Sequence, residues 1–202
     1  MAAPPDDVER LRNHLLGAVQ RALRLCNDFT IHFPADLPAA VLAALAREQS
    51  DVPFSLVHVV RGNHVAQARR LAKHLGLALV ERRCVPRDVE HAEQFLERLG
   101  LERSEDVTRF ALAAFEARLS GPRMLTGHGA AAAIEAPLQP SPRAAADRRA
   151  EARIAETLGL QIRYPYLDRG VLPFLERIRE RRPLGDVLQD LADRLGLQVP
   201  GP

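Results

Sequence analysis

The sequence predicts an α/β fold in which a parallel sheet is flanked by helices. Short β-rich runs alternate with helical patterns of ten or more residues, which is typical of βαβ units. The runs are largely apolar, as expected for strands that helices cover on both faces. With 202 residues, 47% of them hydrophobic, the chain can bury one sizeable core. We expect a single domain over residues 1–202, with its core at about 10–197 and a tail at 199–202.

The first half of the chain carries three strand signals separated by helical patterns. An apolar stripe at helical spacing, from Val8 to Cys26, predicts the first helix. The elements predicted after it are a strand at Phe29–Phe33, a helix at Leu37–Arg47, a strand at Phe54–Val60, a helix at Val65–Leu75 and a strand at Leu77–Val85. Gly76 is placed to end the helix that precedes it.

The second half is expected to contain one strand among several helices. Helices at 88–99 and 105–119 are separated by Gly100, and Ser104 is placed to cap the second of them. Met124–Thr126 is the fourth predicted strand, followed by a loop without periodicity at 127–142. Three more helices are predicted, at 143–158, 171–182 and 184–195.

Composition excludes several classes of protein. No apolar run approaches the roughly 20 residues needed to span a bilayer, so no membrane partner is expected. The start of the chain lacks the features of a signal peptide, and two cysteines, Cys26 and Cys84, make no disulfide framework. We therefore expect a cytoplasmic location. With 28 basic and 26 acidic residues, and with glutamates interleaved among the arginines of 176–182, nucleic acid is not expected as a partner.

Two turns are the expected place for any chemistry. Ligands of open α/β sheets bind outside the carboxyl ends of the strands. The turn after the first strand is Pro34–Ala40, and the turn after the fourth is Gly127–Ala133.

These turns and several later segments carry recognisable motifs. The motif-bearing stretches are Pro34-Ala-Asp-Leu-Pro-Ala-Ala40, His64–Gly76, Leu125-Thr-Gly-His-Gly-Ala130, Glu151-Ala-Arg-Ile154, Arg163-Tyr-Pro-Tyr-Leu-Asp168 and Leu188–Pro200. Together they resemble the synthetase domain of asparagine synthetases, in the short stand-alone form without a glutaminase domain. This family belongs to the ATP-pyrophosphatase (PP-loop) group. The resemblance implies a Rossmann-like, adenine nucleotide alpha hydrolase-like fold and, in working members, ATP and Mg²⁺ as cofactors.

The loop after the first strand departs from the family pattern. The family carries Ser-Gly-Gly-Leu-Asp-Ser-Ser there, a glycine-rich turn that feeds a helix N-terminus and holds phosphate. Ala35 and Asp36 replace the two glycines, so a backbone with φ > 0 is disfavoured. Pro34 and Pro38 have no N–H to donate. The Asp36 carboxylate is expected to cap the helix and fill the anion site itself.

The remaining chemistry of the nucleotide site is also missing. Ala39 and Ala40 align with the two family serines, and the loop aspartate aligns with Pro38. In the second turn Gly127 and Gly129 match the family, but alanines at 131 and 132 stand at its Asp-Glu pair. No carboxylate remains there for Mg²⁺.

These departures favour a non-catalytic protein. The leading hypothesis is an asparagine synthetase-like domain with degenerate ATP-binding motifs, without cofactor or metal. It would act by binding a second copy of itself, a separate protein partner or a small ligand. The alternative is an ATP-dependent amide-forming ligase that uses ATP and Mg²⁺ through unrecognised residues. A weaker alternative is an RNA-associated PP-loop protein.

Four histidines are further candidates for chemistry. His128 lies between two glycines at a strand end and is the candidate catalytic residue, where it would act as a proton shuttle. The alternative is a structural histidine of the turn that hydrogen-bonds to the backbone. A metal site of His32, His58 and His64 is a second possibility, although their spacing fits no ligand signature.

The other candidates have mainly structural interpretations. Cys84, beside Arg82 and Arg83, is either a reactive thiol or an idle one, and Cys26 lies on a core stripe. Asp168 is expected to cap the helix that begins near Gly170. We also expect an ion pair between Arg163 and Glu151. One face of the helix at 105–119 is interpreted as core or as a partner groove; its residues are Val107, Phe110, Ala111, Ala114 and Phe115.

Overall fold

The computed structural model describes residues 6–24, 26, 28–60, 65–127 and 142–199. The helices are α1 (Asp7–Leu23), α2 (Leu37–Gln49), α3 (Val65–Leu75), α4 (Pro86–Arg98), α5 (Glu105–Ser120), α6 (Pro142–Leu158), α7 (Leu172–Arg179) and α8 (Leu184–Arg194). The strands are β1 (Thr30–His32), β2 (Ser55–Val60), β3 (Ala78–Arg83), β4 (Arg123–Thr126) and β5 (Gln161–Arg163). No described helix is long and apolar enough to cross a membrane.

The five strands form one parallel sheet in the order β3-β2-β1-β4-β5. The chain moves outward from β1 to β3, returns to the other side of β1 as β4, and continues to β5. The strand order therefore reverses between β1 and β4, which is where doubly wound sheets open a ligand crevice. The predicted α/β class with a parallel sheet is confirmed.

Alternate residues of the strands face two separate hydrophobic clusters, because successive side chains of a strand point to opposite faces. Ile31, Leu56 and Leu125 pack with α1, α2, α3, α7 and α8. Val57 and Met124 pack with α4, α5 and α6 on the other face. Helices thus cover both faces of the sheet, which explains why the central strands β1, β2 and β4 are mostly buried.

The predicted helix ends are confirmed where side chains or glycine define them. The hydroxyl of Ser104 accepts a hydrogen bond from the Val107 amide at 3.2 Å and caps α5. Gly76 follows α3 with φ +64°, and its N–H donates to the carbonyl of Lys73 at 3.1 Å. Such a left-handed residue ends a helix at least cost when it is glycine.

The sequence analysis missed one strand. β5 has only three residues, Gln161–Arg163, and pairs with β4 at the edge of the sheet. β1 is equally short, but Phe29 and Phe33 extend its β-rich run, whereas Gln161–Arg163 contains one apolar residue, Ile162. A short 3₁₀ helix at Pro165–Leu167 follows it. Most of the loop expected at 127–142 lies outside the described residues.

Candidate functional site

The two predicted turns meet at the reversal of strand order. β1 and β4 are neighbours, with His32 opposite Thr126 at their carboxyl ends. The turn that begins at Pro34 and the first residue of the second turn, Gly127, therefore share one edge of the sheet. His128 and Gly129 lie outside the described residues, so their predicted roles stay predictions.

Gly127 lies directly against the first turn of α2. A Cβ added to Gly127 would stand 3.1 Å from the amide nitrogen of Ala39 and 3.3 Å from the carbonyl carbon of Pro38. Both atoms belong to the backbone and cannot rotate away, so only glycine fits here without a shift. The two walls of the crevice touch each other at this point.

Asp36 occupies the amino terminus of α2, as the sequence predicts. Its Oδ1 accepts a hydrogen bond from the Ala39 N–H at 2.9 Å, and its carbonyl accepts one from the Ala40 N–H at 3.0 Å. Pro38 in the same turn has no N–H. The amide donors of 38–40 that a phosphate would otherwise use are therefore absent or taken by Asp36.

Ala35 corrects the expectation that its substitution for glycine disfavours a left-handed backbone. Its φ is +66°, and it is the one non-glycine residue with positive φ in the described chain. The side chain is 4% exposed, so packing around the methyl group holds this conformation against an intrinsic cost of roughly 1–2 kcal/mol. The loop thus makes a left-handed bend at a residue with a side chain.

Side chains from other elements contact three backbone carbonyl groups in and beside this loop. The Gln67 side-chain amide donates to the carbonyl of Ala35 at 2.9 Å. The Tyr166 hydroxyl donates to the carbonyl of Pro38 at 2.9 Å, and the His58 Nδ1 lies 2.7 Å from the carbonyl of Phe33. The sequence analysis missed these contacts because each joins residues at least 25 positions apart. Side chains of β2, α3 and the 3₁₀ helix therefore hold the backbone of this loop and of the first turn of α2.

Tyr166 belongs to the Arg163–Asp168 motif, called the late motif below, and connects that motif to the loop. It is 1% exposed, and its pKa is raised well above the usual value, first by burial and then by the negative charge of Asp36. The neutral phenol is therefore the form that donates to Pro38. This places the second half of Arg163–Asp168 in contact with the candidate site.

His32 and His58 do not meet in one site. The ring of His32 packs edge-on against Phe110 of α5, with ring centroids 5.7 Å apart. His58 instead contacts the carbonyl of Phe33 on the α2 face of the sheet. The predicted metal site of His32, His58 and His64 is therefore wrong, because His32 and His58 do not come together. His64 lies outside the described residues. In the described part of the chain, no three potential ligand side chains gather to hold a metal.

Asp168 does not cap α7. The helix begins at Leu172, and its N-cap residue, Val171, makes no side-chain cap. Asp168 accepts instead from the Arg21 guanidinium, 2.5 Å from Nη2, and from the Gly170 N–H at 2.8 Å. The hydrogen bond from Arg21 is the main reason that the pKa of Asp168 is lowered. Its role is to tie the late motif to α1.

Glu151 has a partner that the sequence analysis missed, while the expected ion pair with Arg163 stays a prediction. Glu151 is 3% exposed, and the Tyr164 hydroxyl donates to its Oε2 at 2.8 Å. Arg163 is exposed. Burial and then the Glu151 charge raise the pKa of Tyr164. The late motif therefore contributes buried contacts on both faces of the sheet, Tyr164 towards α6 and Tyr166 towards α2.

The remaining candidates pack in the two hydrophobic clusters or at their edges, and the reactivity of Cys84 stays a prediction. Cys26 and Cys84 are free and half-buried, and Cys26 packs against the core as predicted. Arg82 is bound to Asp88 at 3.0 Å and to Glu116 at 2.9 Å, so its charge is already balanced beside Cys84. The prediction that one face of α5 belongs to the core is confirmed, because Val107, Phe110, Ala111 and Ala114 are buried.

The Ala35 conformation yields a stability prediction. Replacing Ala35 with valine is expected to lower the free energy of unfolding by at least about 2 kcal/mol, since a β-branched residue is strained at positive φ. Replacement with glycine should stay within about 1 kcal/mol of wild type, because relief of strain offsets the lost methyl contact. Urea unfolding followed by circular dichroism measures both. Equal losses in the two variants would contradict the left-handed assignment.

The Asp36 cap yields a second prediction. Asp36→Ala is expected to cost about 1 kcal/mol of unfolding free energy, because the Ala39 N–H loses its partner. Asp36→Asn keeps an oxygen that accepts the same hydrogen bond and should retain most of the stability. Thermal unfolding of the three proteins measures this order. An alanine variant as stable as the asparagine variant would show that the cap contributes nothing.

Comparisons with known proteins were made on sequence and on structure. No protein-family model matches the chain, and no curated protein sequence does. The structure is similar to an NAD+ synthetase from Burkholderia pseudomallei, at 17% sequence identity and a TM-score of 0.42, over 96% of this chain and 94% of that one. It is also similar to an NMN synthetase from Francisella tularensis, at 13% identity and a TM-score of 0.45, over 96% and 88%. Neither is an asparagine synthetase, so the resemblance to that family stays a prediction.

Proposed function

We propose that this chain is a non-catalytic binding protein with an asparagine synthetase-like scaffold and a degenerate nucleotide site. The observation that carries the proposal is the Asp36 carboxylate, which accepts the Ala39 N–H at 2.9 Å at the amino terminus of α2. A helix amino terminus attracts anions through its free N–H groups and its dipole. A carboxylate that the chain itself places there competes with any phosphate for the same donors.

The residues present do not fit ATP and Mg²⁺. A phosphate approaching α2 would meet the negative charge of Asp36 and the prolines at 34 and 38. The only carboxylate of the 34–40 loop is the one used as the cap. Mg²⁺ in nucleotide sites is held by carboxylate and phosphate oxygens together. We derive no catalytic step from this site.

A binding role is consistent with what the loop retains. Its backbone is fixed around the crevice by contacts with Gln67, Tyr166 and His58, although Asp36 takes the Ala39 N–H that a phosphate could use. A rigid surface suits recognition of a protein subunit, of a second copy or of a small ligand, because little ordering entropy is lost on binding. Neither a membrane nor nucleic acid is needed for such a role.

One observation favours the alternative, an ATP-dependent amide-forming ligase. Ala35 keeps a left-handed backbone, at φ +66°, and consecutive N–H groups beside a left-handed residue form anion-binding concavities in phosphate loops. In that alternative, ATP and Mg²⁺ would be cofactors and Asp36 would have to leave its cap. The Asp36 hydrogen bond argues against it.

Single-turnover chemistry separates the two proposals. The full chain, in excess over ATP labelled at the α-phosphate, is mixed with Mg²⁺ and aspartate, and adenylate formation is followed by thin-layer chromatography. The pseudoenzyme proposal predicts no adenylate and no pyrophosphate above the protein-free blank. A burst of adenylate proportional to protein concentration would overturn it and establish the ligase.

A further inference from the structure

A second cavity lies outside the nucleotide crevice, on the other face of the sheet. It is a groove of about 710 Å³ between α4 and α5, beyond the carboxyl ends of β2 and β3. Val60, the last residue of β2, and Cys84, just after β3, line its inner end. Its volume is in the range of small-molecule sites, and carboxyl ends of strands are where α/β sheets bind ligands. We call it the α4–α5 groove.

The wall formed by α4 carries uncompensated negative charge. Val89, Glu90 and Glu93 recur at the spacing of one helix face and line the groove. Glu93 has no ion-pair partner among the described residues. Within the described ranges, the carboxylate of Glu90 accepts only from the neutral amide of Gln94, at 3.3 Å. Both charges therefore remain available to a cation.

The arginines of the opposite wall are already neutralised. Arg103 lies 2.7 Å from Glu97, and Arg109 lies 2.5 Å from Asp106. Neither guanidinium is therefore free to cancel the charge of Glu90 and Glu93 or to attract an anion. The groove as a whole is suited to a positive ligand.

Thr108 supplies an independent indication of a ligand. Its side chain lines the groove, and the residue is 9% exposed. In the described part of the chain its hydroxyl makes no hydrogen bond, whereas that of Thr157, also on a helix, donates to the carbonyl four residues earlier. The Thr108 hydroxyl oxygen is not among the described side-chain atoms that are both enclosed and unpartnered, so it is open to the groove. It is therefore available to a polar atom of a ligand.

We propose that the α4–α5 groove binds a small organic cation, an amine or guanidine with an apolar body of a few carbons. Glu90 and Glu93 hold the positive group, and the Thr108 hydroxyl accepts from one of its N–H bonds. Val60, Val89 and Leu112 contact the apolar body. The proposal does not depend on whether the 34–40 loop binds phosphate, because the groove lies on the opposite face of the sheet.

Three probes of equal length separate charge from apolar contact. Hexylammonium, hexanol and hexanoate are titrated into the full-length protein, and amide chemical shifts report binding. Hexylammonium should bind saturably and shift resonances along α4 and α5, hexanol should bind at least about tenfold more weakly, and hexanoate should not bind. Stronger salt should weaken hexylammonium binding.

Variants then test the named residues. Glu90→Gln with Glu93→Gln is expected to weaken hexylammonium binding about tenfold. The matched control, Glu176→Gln with Glu180→Gln, removes the same net charge from exposed positions in and directly after α7 and should leave hexylammonium binding unchanged. Thr108→Val should weaken binding about threefold at unchanged thermal stability, because the lost hydroxyl had no partner in the protein.

The proposal is overturned by any of three results. Hexanoate or hexanol binding as tightly as hexylammonium would show that Glu90 and Glu93 do not select charge. Equal affinities for the groove variant and the α7 control would show that binding occurs elsewhere. No hexylammonium binding up to about 10 mM, an affinity of less than about 3 kcal/mol, would show that the groove is not a site for this class.

Discussion

Replacing Tyr166 with alanine is expected to lower the free energy of unfolding by about 3–5 kcal/mol, the cost of truncating a large buried aromatic side chain. Tyr166 is 1% exposed and is the largest of the fully buried side chains in the described chain. The truncation opens a cavity in the cluster that joins α1, α2 and α7. It also removes the partner of the Pro38 carbonyl. Urea unfolding followed by far-ultraviolet circular dichroism measures the change.

Tyr166→Phe is the matched control for this prediction. It keeps the ring and deletes only the hydroxyl, so we expect a loss of about 1–2 kcal/mol from the unpaired Pro38 carbonyl. The difference between the two variants is the contribution of ring packing. An alanine variant whose free energy of unfolding lies within about 1 kcal/mol of wild type would contradict the burial of Tyr166 and its contact with Pro38 at the start of α2.

Alkaline titration is expected to show no phenolate until the protein unfolds. The chain has two tyrosines and no tryptophan, so near-ultraviolet absorbance reports Tyr164 and Tyr166 alone. Burial is the main cause that raises the pKa of each, with the charge of Glu151 adding to it at Tyr164 and that of Asp36 at Tyr166. Both phenols are therefore neutral in the fold above the pH at which a free tyrosine ionises, about 10.

The sign of the effect on stability follows from linkage. A phenol whose pKa in the folded protein exceeds that in the unfolded chain contributes stability that is complete below the unfolded value. That stability is lost as the pH rises above about 10 towards the folded pKa values. The absorbance change and the loss of circular dichroism should thus coincide. Tyr164→Phe should halve the absorbance amplitude. Phenolate formation well before unfolding, in wild type or in this variant, would contradict the buried positions.

Local sequence pattern was sufficient for most of the fold. Helical periodicity and apolar runs predicted four strands and their intervening helices because those elements are long enough to show a period. β5 was missed because Gln161–Arg163 has one apolar residue and lacks the flanking phenylalanines that mark the equally short β1. The placement of β1 between β2 and β4 is a tertiary property that periodicity alone does not contain.

The candidate site was predicted in part. The capping role of Asp36 follows from residue type at a helix start, and the structure confirms it. The left-handed Ala35 was not foreseen, because propensity argues against it and only buried packing sustains it. The Asp168 cap was wrong because a distant residue, Arg21, competes for the carboxylate. Contacts such as Tyr166 with Pro38 span 128 positions and leave no local signal.

Calorimetric titration of the protein with ATP, with and without Mg²⁺, tests the central claim most directly. Wild type should give no binding heat up to about 1 mM ATP, an affinity of less than about 4 kcal/mol, because Asp36 holds the donors at the amino terminus of α2. Asp36→Asn, which keeps the cap without the charge, should not bind ATP more weakly than wild type. Micromolar, Mg²⁺-dependent binding to wild type would show that Pro34–Ala40 still forms a phosphate site and would contradict the non-catalytic proposal.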